Sequence, residues 1–146
     1  MTELQVLSLA ENDMLFCILT ETWLRDHLDA EVNVANYTIF RSDRERERAR
    51  RGRNSGGVAI YVKSDIAAST EILLKKSIGV IETLCVYIKR VNLVICAIYR
   101  SPDDPNARNR STHVEFNTAL SCLSETLSSL PTPSPDIIFG GGLQPT

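Results

Sequence analysis

The chain of 146 residues is 43% hydrophobic and 23% charged, with a formal net charge of −2. This length and hydrophobic content suit one domain with a buried core and are too small for two such domains. A sequence pI of about 5.7 excludes a basic field over the whole surface of the kind that favours nucleic acid. We therefore expect one domain over residues 1–146, with any functional charge concentrated locally.

The four cysteines have no CxxC spacing, and each lies among aliphatic residues: Cys17, Cys85, Cys96 and Cys122. This pattern favours free, buried thiols over disulfides or a zinc site. It indicates an intracellular protein, either nuclear or cytoplasmic. No apolar run approaches the roughly 20 residues that a membrane span requires, so no membrane partner is expected.

The first strong structural signal is the apolar run Met14–Leu19, which predicts a buried strand that presents Glu21 at the rim of a sheet. Taken alone, a glutamate at a strand end is more often a solvated cap than a ligand. A helical turn or two is predicted before the strand, around Leu4–Leu9. A short helical turn is predicted after it, over Trp23–Leu28.

A second strand, Tyr37–Phe40, leads into an arginine arm, which we define as residues 41–53. The arm holds seven arginines against three carboxylates, a net charge of +4 that leaves −6 on the remainder of the chain. The pattern is typical of a solvated loop. It also suits contact with a phosphate backbone, because the guanidinium group binds phosphate in a bidentate manner. Both readings remain open. The candidate nucleic-acid contacts are Arg41, Arg44, Arg46, Arg48, Arg50 and Arg51.

After the glycine turn at Gly56–Gly57, strand patterns continue to the middle of the chain. Val58–Lys63 is the first, and Val80–Lys89 with Leu93–Tyr99 is predicted to form an antiparallel hairpin. The alternating pattern of the first hairpin strand predicts one partly exposed face. The second hairpin strand is apolar throughout and is predicted to be central in its sheet.

The C-terminal third predicts one helix and one strand. Apolar residues recur at helical spacing from Phe116 to Leu130, after a capping-box pattern at Thr112 and Glu115. Pro131–Pro135 ends the helix, and Asp136–Phe139 is predicted to be the last strand, running into a glycine turn.

Three apolar strands therefore end in Glu21, in Tyr99-Arg100 and in Gly140-Gly141-Gly142. If these strands were neighbours in one sheet, a carboxylate, a phenol and a guanidinium group would converge on one rim. A carboxylate can hold Mg²⁺, while a phenol or a guanidinium group can bind phosphate oxygens. The pattern favours phosphodiester chemistry, although spacing alone supplies neither a catalytic base nor a second metal ligand.

Five motifs follow one another along the chain: LTETWL, YTIFRSDR, GGVAIYVKSDI, LVICAIYRSPDD and PDIIFGG. In this order and spacing the chain resembles the endonuclease domain of non-LTR retrotransposons (LINE-type elements). That domain belongs to the endonuclease/exonuclease/phosphatase superfamily, which includes apurinic endonucleases and DNase I. The resemblance runs from about Leu4 to the C-terminus.

This resemblance implies a DNase I-like two-sheet α/β sandwich with its active site at one end of the sheets. It also implies Mg²⁺-dependent hydrolysis of DNA, the nick that primes reverse transcription. Glu21 matches the metal-binding glutamate of the family. Tyr99 and Arg100 match residues near the scissile phosphate. Gln144 stands at the position of an asparagine, and Gly142 stands at the position of an aspartate, where it supplies no carboxylate.

The family also begins with an asparagine-bearing strand and ends with a serine-aspartate-histidine motif, neither of which occurs here. We therefore expect a sandwich that is incomplete at both ends and catalytically impaired, so that whether the chain is an enzyme stays open. One alternative is an active enzyme whose missing segments come from elsewhere. The other is a non-catalytic module that binds nucleic acid or a partner through the arginine arm.

Overall fold

The protein is described from a computed structural model that covers residues 14–24, 28–43, 56–78, 81–100 and 113–143. The strands of these ranges are β1 (Phe16–Thr20), β2 (Tyr37–Ser42), β3 (Val58–Lys63), β4 (Thr70–Ile78), β5 (Ile81–Ile88), β6 (Leu93–Arg100) and β7 (Asp136–Leu143). The α-helices are α1 (Ser64–Ala67) and α2 (His113–Ser128), and short 3-10 turns lie at Asp29–Val32 and Lys89–Val91. None of the helices in these ranges is long and apolar enough to cross a bilayer.

The strands form two sheets, one with the order β1-β3-β2 and the other with the order β4-β5-β6-β7. All neighbours are antiparallel except β6 and β7, which are parallel and joined through α2. The predicted hairpin is confirmed as β5 and β6, and β6 is an interior strand as predicted. β4 was not predicted, because its charged residues Glu71, Lys75 and Lys76 obscure its strand pattern. Such charges are common on an edge strand, where they discourage pairing with other chains.

The core between the sheets is aliphatic and continuous. Alternate residues of β3, β5 and β6 meet there, including Val58, Ile60, Leu84 and Ile95, all fully buried. The other face of β3 presents Tyr61, whose hydroxyl donates a hydrogen bond to the Val32 carbonyl at 2.7 Å. Burial raises the pKa of Tyr61 to about 12. Both faces of β3 are therefore covered, which explains its uninterrupted apolar sequence.

The outer face of the four-stranded sheet packs against α2. Cys85, Val94 and Cys96 form this second core together with Leu123 of the helix. The prediction that β5 has a partly exposed face is wrong, because α2 covers that face and leaves all but Tyr87 buried. The four cysteines are free, as predicted, but only Cys85 and Cys96 are buried, whereas Cys17 and Cys122 are half-buried. Cys85 and Cys96 lie opposite each other, and the hydrogen bond between them raises the pKa of Cys85 and lowers that of Cys96.

Two glycines of β7 allow close packing. The side chain of Ile18 from β1 lies where a Cβ atom at Gly140 would be, so the two sheets approach each other closely at this point. Gly141 has a φ of 132°, and a Cβ atom there would overlap the carbonyl oxygen of Ile98 on β6. The glycines therefore continue the strand, whereas the sequence predicted a turn that ends it.

Candidate functional site

The two ends of the sandwich are distinguished by α1. Arg90, next to the last residues of β5, donates a hydrogen bond from Nη1 to the Asp65 carbonyl of α1 at 2.6 Å. Because α1 directly follows β3, the Lys63 end of β3 lies at the Ile88 end of β5. The opposite end therefore brings together Val58 of one sheet and the residues around Tyr99 of the other. We call this opposite end the site end.

Glu21 lies at the site end, immediately after β1. Thr20, the last residue of β1, pairs with Val58, and the chain then turns sharply: Glu21 has a φ of 55° and Trp23 a φ of 59°. Left-handed backbone at a residue other than glycine costs about 1 kcal/mol, and such strain is often found at functional sites. The helical turn predicted over Trp23–Leu28 is wrong for the described residues 21–24 and 28, which are not helical.

Local hydrogen bonds hold this turn. The Trp23 amide donates to the Gly56 carbonyl at 3.0 Å, and its indole Nε1 donates to Glu21 Oε2 at 2.5 Å. Gly57 allows the side chain of Thr22 to approach the backbone closely, because a Cβ atom at position 57 would lie 2.5 Å from Thr22 Oγ1. Glu21 is half-buried, and the exposed Trp23 that donates to its carboxylate lies beside it.

A polar row crosses the inner face of the four-stranded sheet at the same end. Ser77, Glu82, Tyr99 and Gly142 are successive register partners on β4, β5, β6 and β7. Tyr99 is 3% exposed and Glu82 is fully buried. The inner face is apolar along the rest of β5 and β6, at Leu84 for example, so the change to polar residues marks the site end.

Arg100 follows Tyr99 directly but lies on the other face of β6. Tyr99 belongs to the core between the sheets, while the alternating residues Cys96 and Ile98 pack toward α2, and Arg100 continues that second series. The condition set for a shared rim, that the three strands ending in Glu21, in Tyr99-Arg100 and in the glycines are neighbours in one sheet, is not met. Glu21 follows β1, which belongs to the other sheet, and only β6 and β7 are neighbours.

Of the arginines in the arm, only Arg41 lies within the described residues. Its side chain is 14% exposed, and it forms ion pairs from Nη1 to Asp29 at 3.5 Å and from Nε to Asp43 at 3.3 Å. Arg41 therefore stabilises the end of β2 whether or not it contacts nucleic acid. The other candidate contacts, together with Gln144, lie outside the described residues: Arg44, Arg46, Arg48, Arg50 and Arg51.

The resemblance implies Mg²⁺. Mg²⁺ prefers oxygen ligands in octahedral geometry, usually one or two carboxylates with substrate phosphates. No cluster of three or more histidine, cysteine, aspartate or glutamate side chains occurs in the described ranges. Glu21 supplies one carboxylate, of which one oxygen already accepts a hydrogen bond from Trp23. The described residues thus do not form a metal site by themselves.

An open groove occurs elsewhere, between the β4 edge and the end of α2. Its lining includes Tyr87, Glu125 and Leu130, together with Lys89, whose Nζ lies 3.3 Å from the carboxylate of Glu71. Tyr87 and Lys89 belong to the end of the sheet opposite to Tyr99, so this groove is separate from the site end.

Comparison with known proteins finds similarity in structure and none in sequence. No family model matches the chain, and no curated protein does. Truncated TDP2 of Caenorhabditis elegans superposes with a TM-score of 0.56 at 14% identity, over 94% of this chain and 52% of that one. The catalytic domain of human Nocturnin gives 0.54 at 11%, over 94% and 54%. The AP endonuclease LMAP of Leishmania major gives 0.52 at 13%, over 95% and 49%.

The chain has the DNase I-like fold. The predicted two-sheet α/β sandwich is therefore confirmed. At these identities the likeness establishes the fold alone, and the chain spans about half the length of the solved structures that it matches. The sequence indicates Glu21 and Tyr99 as candidate site residues, and both lie at the site end, whereas it does not single out Glu82. A glutamate at a position that otherwise faces the core was the signal that could have identified it.

Proposed function

We propose that the chain is a nucleic-acid-binding domain of the non-LTR retrotransposon endonuclease type, in which phosphodiester cleavage is impaired. DNA binds at the site end, where Tyr99 lies near the phosphate. The ancestral reaction is Mg²⁺-dependent nicking of DNA for target-primed reverse transcription. A related observation on another protein supports DNA as the ligand: a Danio rerio TDP2 of the same fold, with a TM-score of 0.50, was solved with a single-stranded DNA product.

The observation that carries this proposal is the position of Gly142. In β7 it is the register partner of Tyr99, at the end of the sandwich that also holds Glu21. The retrotransposon endonucleases carry an aspartate at this point of the motif. Glycine has no carboxylate, and loss of a single group that acts in the transition state lowers the rate on the order of 100- to 1000-fold. The fold is therefore retained while one chemical group of the site is lost.

Removing the Tyr99 hydroxyl tests where DNA binds. Tyr99→Phe is expected to weaken binding of a single-stranded oligodeoxynucleotide by about three- to tenfold, the effect of losing one hydrogen bond. Fluorescence anisotropy of a labelled oligonucleotide measures the dissociation constant.

Tyr87→Phe is the matched control for this experiment. It removes a hydroxyl from the same sheet at the opposite end, where Tyr87 donates a hydrogen bond to Asn92 Oδ1 at 2.8 Å. The dissociation constant of Tyr87→Phe should equal that of the wild type. Equal losses in both variants would show that DNA does not bind at the site end.

The alternative function is a binding or interaction module that uses the arginine arm without chemistry. One observation favours it. β2 ends at Ser42 and β3 begins at Val58, and these two residues are register partners at the site end. The arm therefore leaves and re-enters the sandwich beside Glu21 and Tyr99, with its local net charge of +4.

Neutralising the arm tests this alternative. Replacing Arg46, Arg48, Arg50 and Arg51 by alanine removes four positive charges from the connection between β2 and β3. DNA affinity should fall, and the slope of log affinity against log salt should become less steep by about 3 to 4, because fewer counterions are released. Anisotropy titrations between 50 and 200 mM salt, about the range over which such contacts are resolved, measure this slope.

Lys75→Ala with Lys89→Ala serves as a control, since both lysines are exposed and lie outside the arm, Lys75 on β4 and Lys89 in the turn after β5. An unchanged salt slope in the arm variant would contradict a role for the arm in binding DNA.

A further inference from the structure

We propose that Glu82 is a positioning residue for the site: its buried carboxylate holds the phenol of Tyr99 in the orientation that meets a phosphate. The inference rests on the proposed function, because Tyr99 is the group through which Glu82 acts. Nothing in the sequence motifs assigns a role to Glu82, which was predicted only as part of an alternating strand.

Register places Glu82 next to Tyr99. The two residues are direct partners on the antiparallel strands β5 and β6, and both face the space between the sheets. Side chains opposite each other in such a pair have Cβ atoms about 4.5–5.5 Å apart, within reach of a carboxylate and a phenol. Tyr99 in turn faces Gly142 on its other side, and a glycine contributes no side chain there.

The other neighbour of Glu82 does not engage it. Ser77 is its register partner on β4, yet Ser77 Oγ is buried without a hydrogen-bond partner among the described residues. Glu82 thus lies between two residues with hydroxyl groups, Ser77 and Tyr99, and its carboxylate forms no hydrogen bond with the first. The geometry favours the Tyr99 side.

Stability does not explain a glutamate at this position. Glu82 is fully buried on the face that Leu84, Val86 and Ile88 continue with aliphatic side chains. Moving a carboxylate from water into such surroundings costs several kcal/mol, and apolar replacements of buried ionic groups often stabilise a protein. The one end of this face that departs from aliphatic residues is the site end, which indicates a functional reason for the departure.

Selective labelling of tyrosine rings tests the positioning directly. The chain has four tyrosines, so ring-carbon NMR of the full chain gives four resolvable signals, and the signal lost in Tyr99→Phe identifies Tyr99. Glu82→Gln keeps the size of the side chain and removes its charge. It should move the Tyr99 signal while the signals of Tyr61 and Tyr87 stay in place. An unmoved Tyr99 signal would overturn the proposal.

A double-mutant cycle on oligonucleotide affinity then separates positioning from a general structural role. In the wild-type background, Glu82→Gln should weaken binding of a single-stranded oligodeoxynucleotide about three- to tenfold, as Tyr99→Phe does. In the Tyr99→Phe background it should have no further effect, because Glu82 acts through the missing hydroxyl. An equal further loss in that background would overturn the proposal.

Thr83→Val is the matched control for Glu82→Gln. Thr83 is also fully buried in β5, on the opposite face, and its hydroxyl donates to the Lys76 carbonyl at 3.0 Å. Its loss should lower the melting temperature and leave oligonucleotide affinity unchanged. If the wild-type chain binds no oligonucleotide, the proposed function fails, while the NMR comparison still decides whether Glu82 orients Tyr99.

Discussion

Gly141→Ala is expected to lower the free energy of unfolding by at least about 3 kcal/mol, an unusually large effect for adding one methyl group. Two causes act together. The backbone of Gly141 has a φ of 132°, which residues with a Cβ atom rarely adopt. The added Cβ atom would also overlap the carbonyl oxygen and carbon of Ile98, which belong to the backbone of β6 and cannot rotate away. The pairing of β6 with β7 must therefore be distorted.

Gly140→Ala is the matched control. Its Cβ atom would meet chiefly the terminal methyl of Ile18, the flexible end of a side chain, and the backbone there has no positive φ. The cost should therefore be smaller than that of Gly141→Ala by about 2 kcal/mol, as for modest overpacking. Urea unfolding followed by circular dichroism measures both variants. Equal destabilisation would contradict the parallel pairing of β6 and β7 described above.

Nicking of supercoiled plasmid by the wild-type chain in Mg²⁺ should be at least about 100-fold slower than by an active enzyme of the same fold assayed in parallel, such as an AP endonuclease. The reason is local to the site end. Gly142 leaves the position beside Tyr99 without a carboxylate, and catalytic groups that act as a unit fail together. Residual nicking should be the same in the wild type and in Glu21→Ala.

Glu71→Ala is a suitable control for Glu21→Ala, since Glu71 is an exposed carboxylate on the edge strand at the other end of the sheet. The three proteins should give identical agarose-gel time courses. Mg²⁺-dependent nicking that is lost in Glu21→Ala and retained in Glu71→Ala would show that the chain is an active endonuclease, and that the side chain missing at Gly142 is dispensable.

The sequence predicted much of the fold because the interior strands are strongly apolar. The runs that became β1, β3 and β6 lie in or between packed layers, and their hydrophobic patterns reflect that burial. The edge strand β4 was missed because one side of it faces water and its sequence contains charged residues. Coverage of β5 by α2 was also missed, because a strand pattern does not show which distant helix will cover it.

Two candidate site residues could be named from the sequence for a similar reason. Glu21 and Tyr99 follow or end apolar runs, so a motif could identify them. The sequence could not show that they come from different sheets, because that depends on strand order. The opposite faces of Tyr99 and Arg100, by contrast, follow from the alternation of side chains along a strand and could have been predicted. In the sequence Glu82 resembles an exposed polar residue of an alternating strand, and only its burial and its pairing with Tyr99 in the structure distinguish it.

The most direct test of the central claim, that the Glu21–Tyr99 end of the sandwich binds nucleic acid, is an NMR titration of the chain with a single-stranded oligodeoxynucleotide. Trp23 is the single tryptophan, it is exposed, and its indole N–H donates to Glu21, so its side-chain signal reports on this end alone. The ring signal of Tyr87 reports on the opposite end of the four-stranded sheet. We predict that the Trp23 indole signal shifts with added oligonucleotide and that the Tyr87 signal does not. A shift of Tyr87 with Trp23 unmoved would contradict the account.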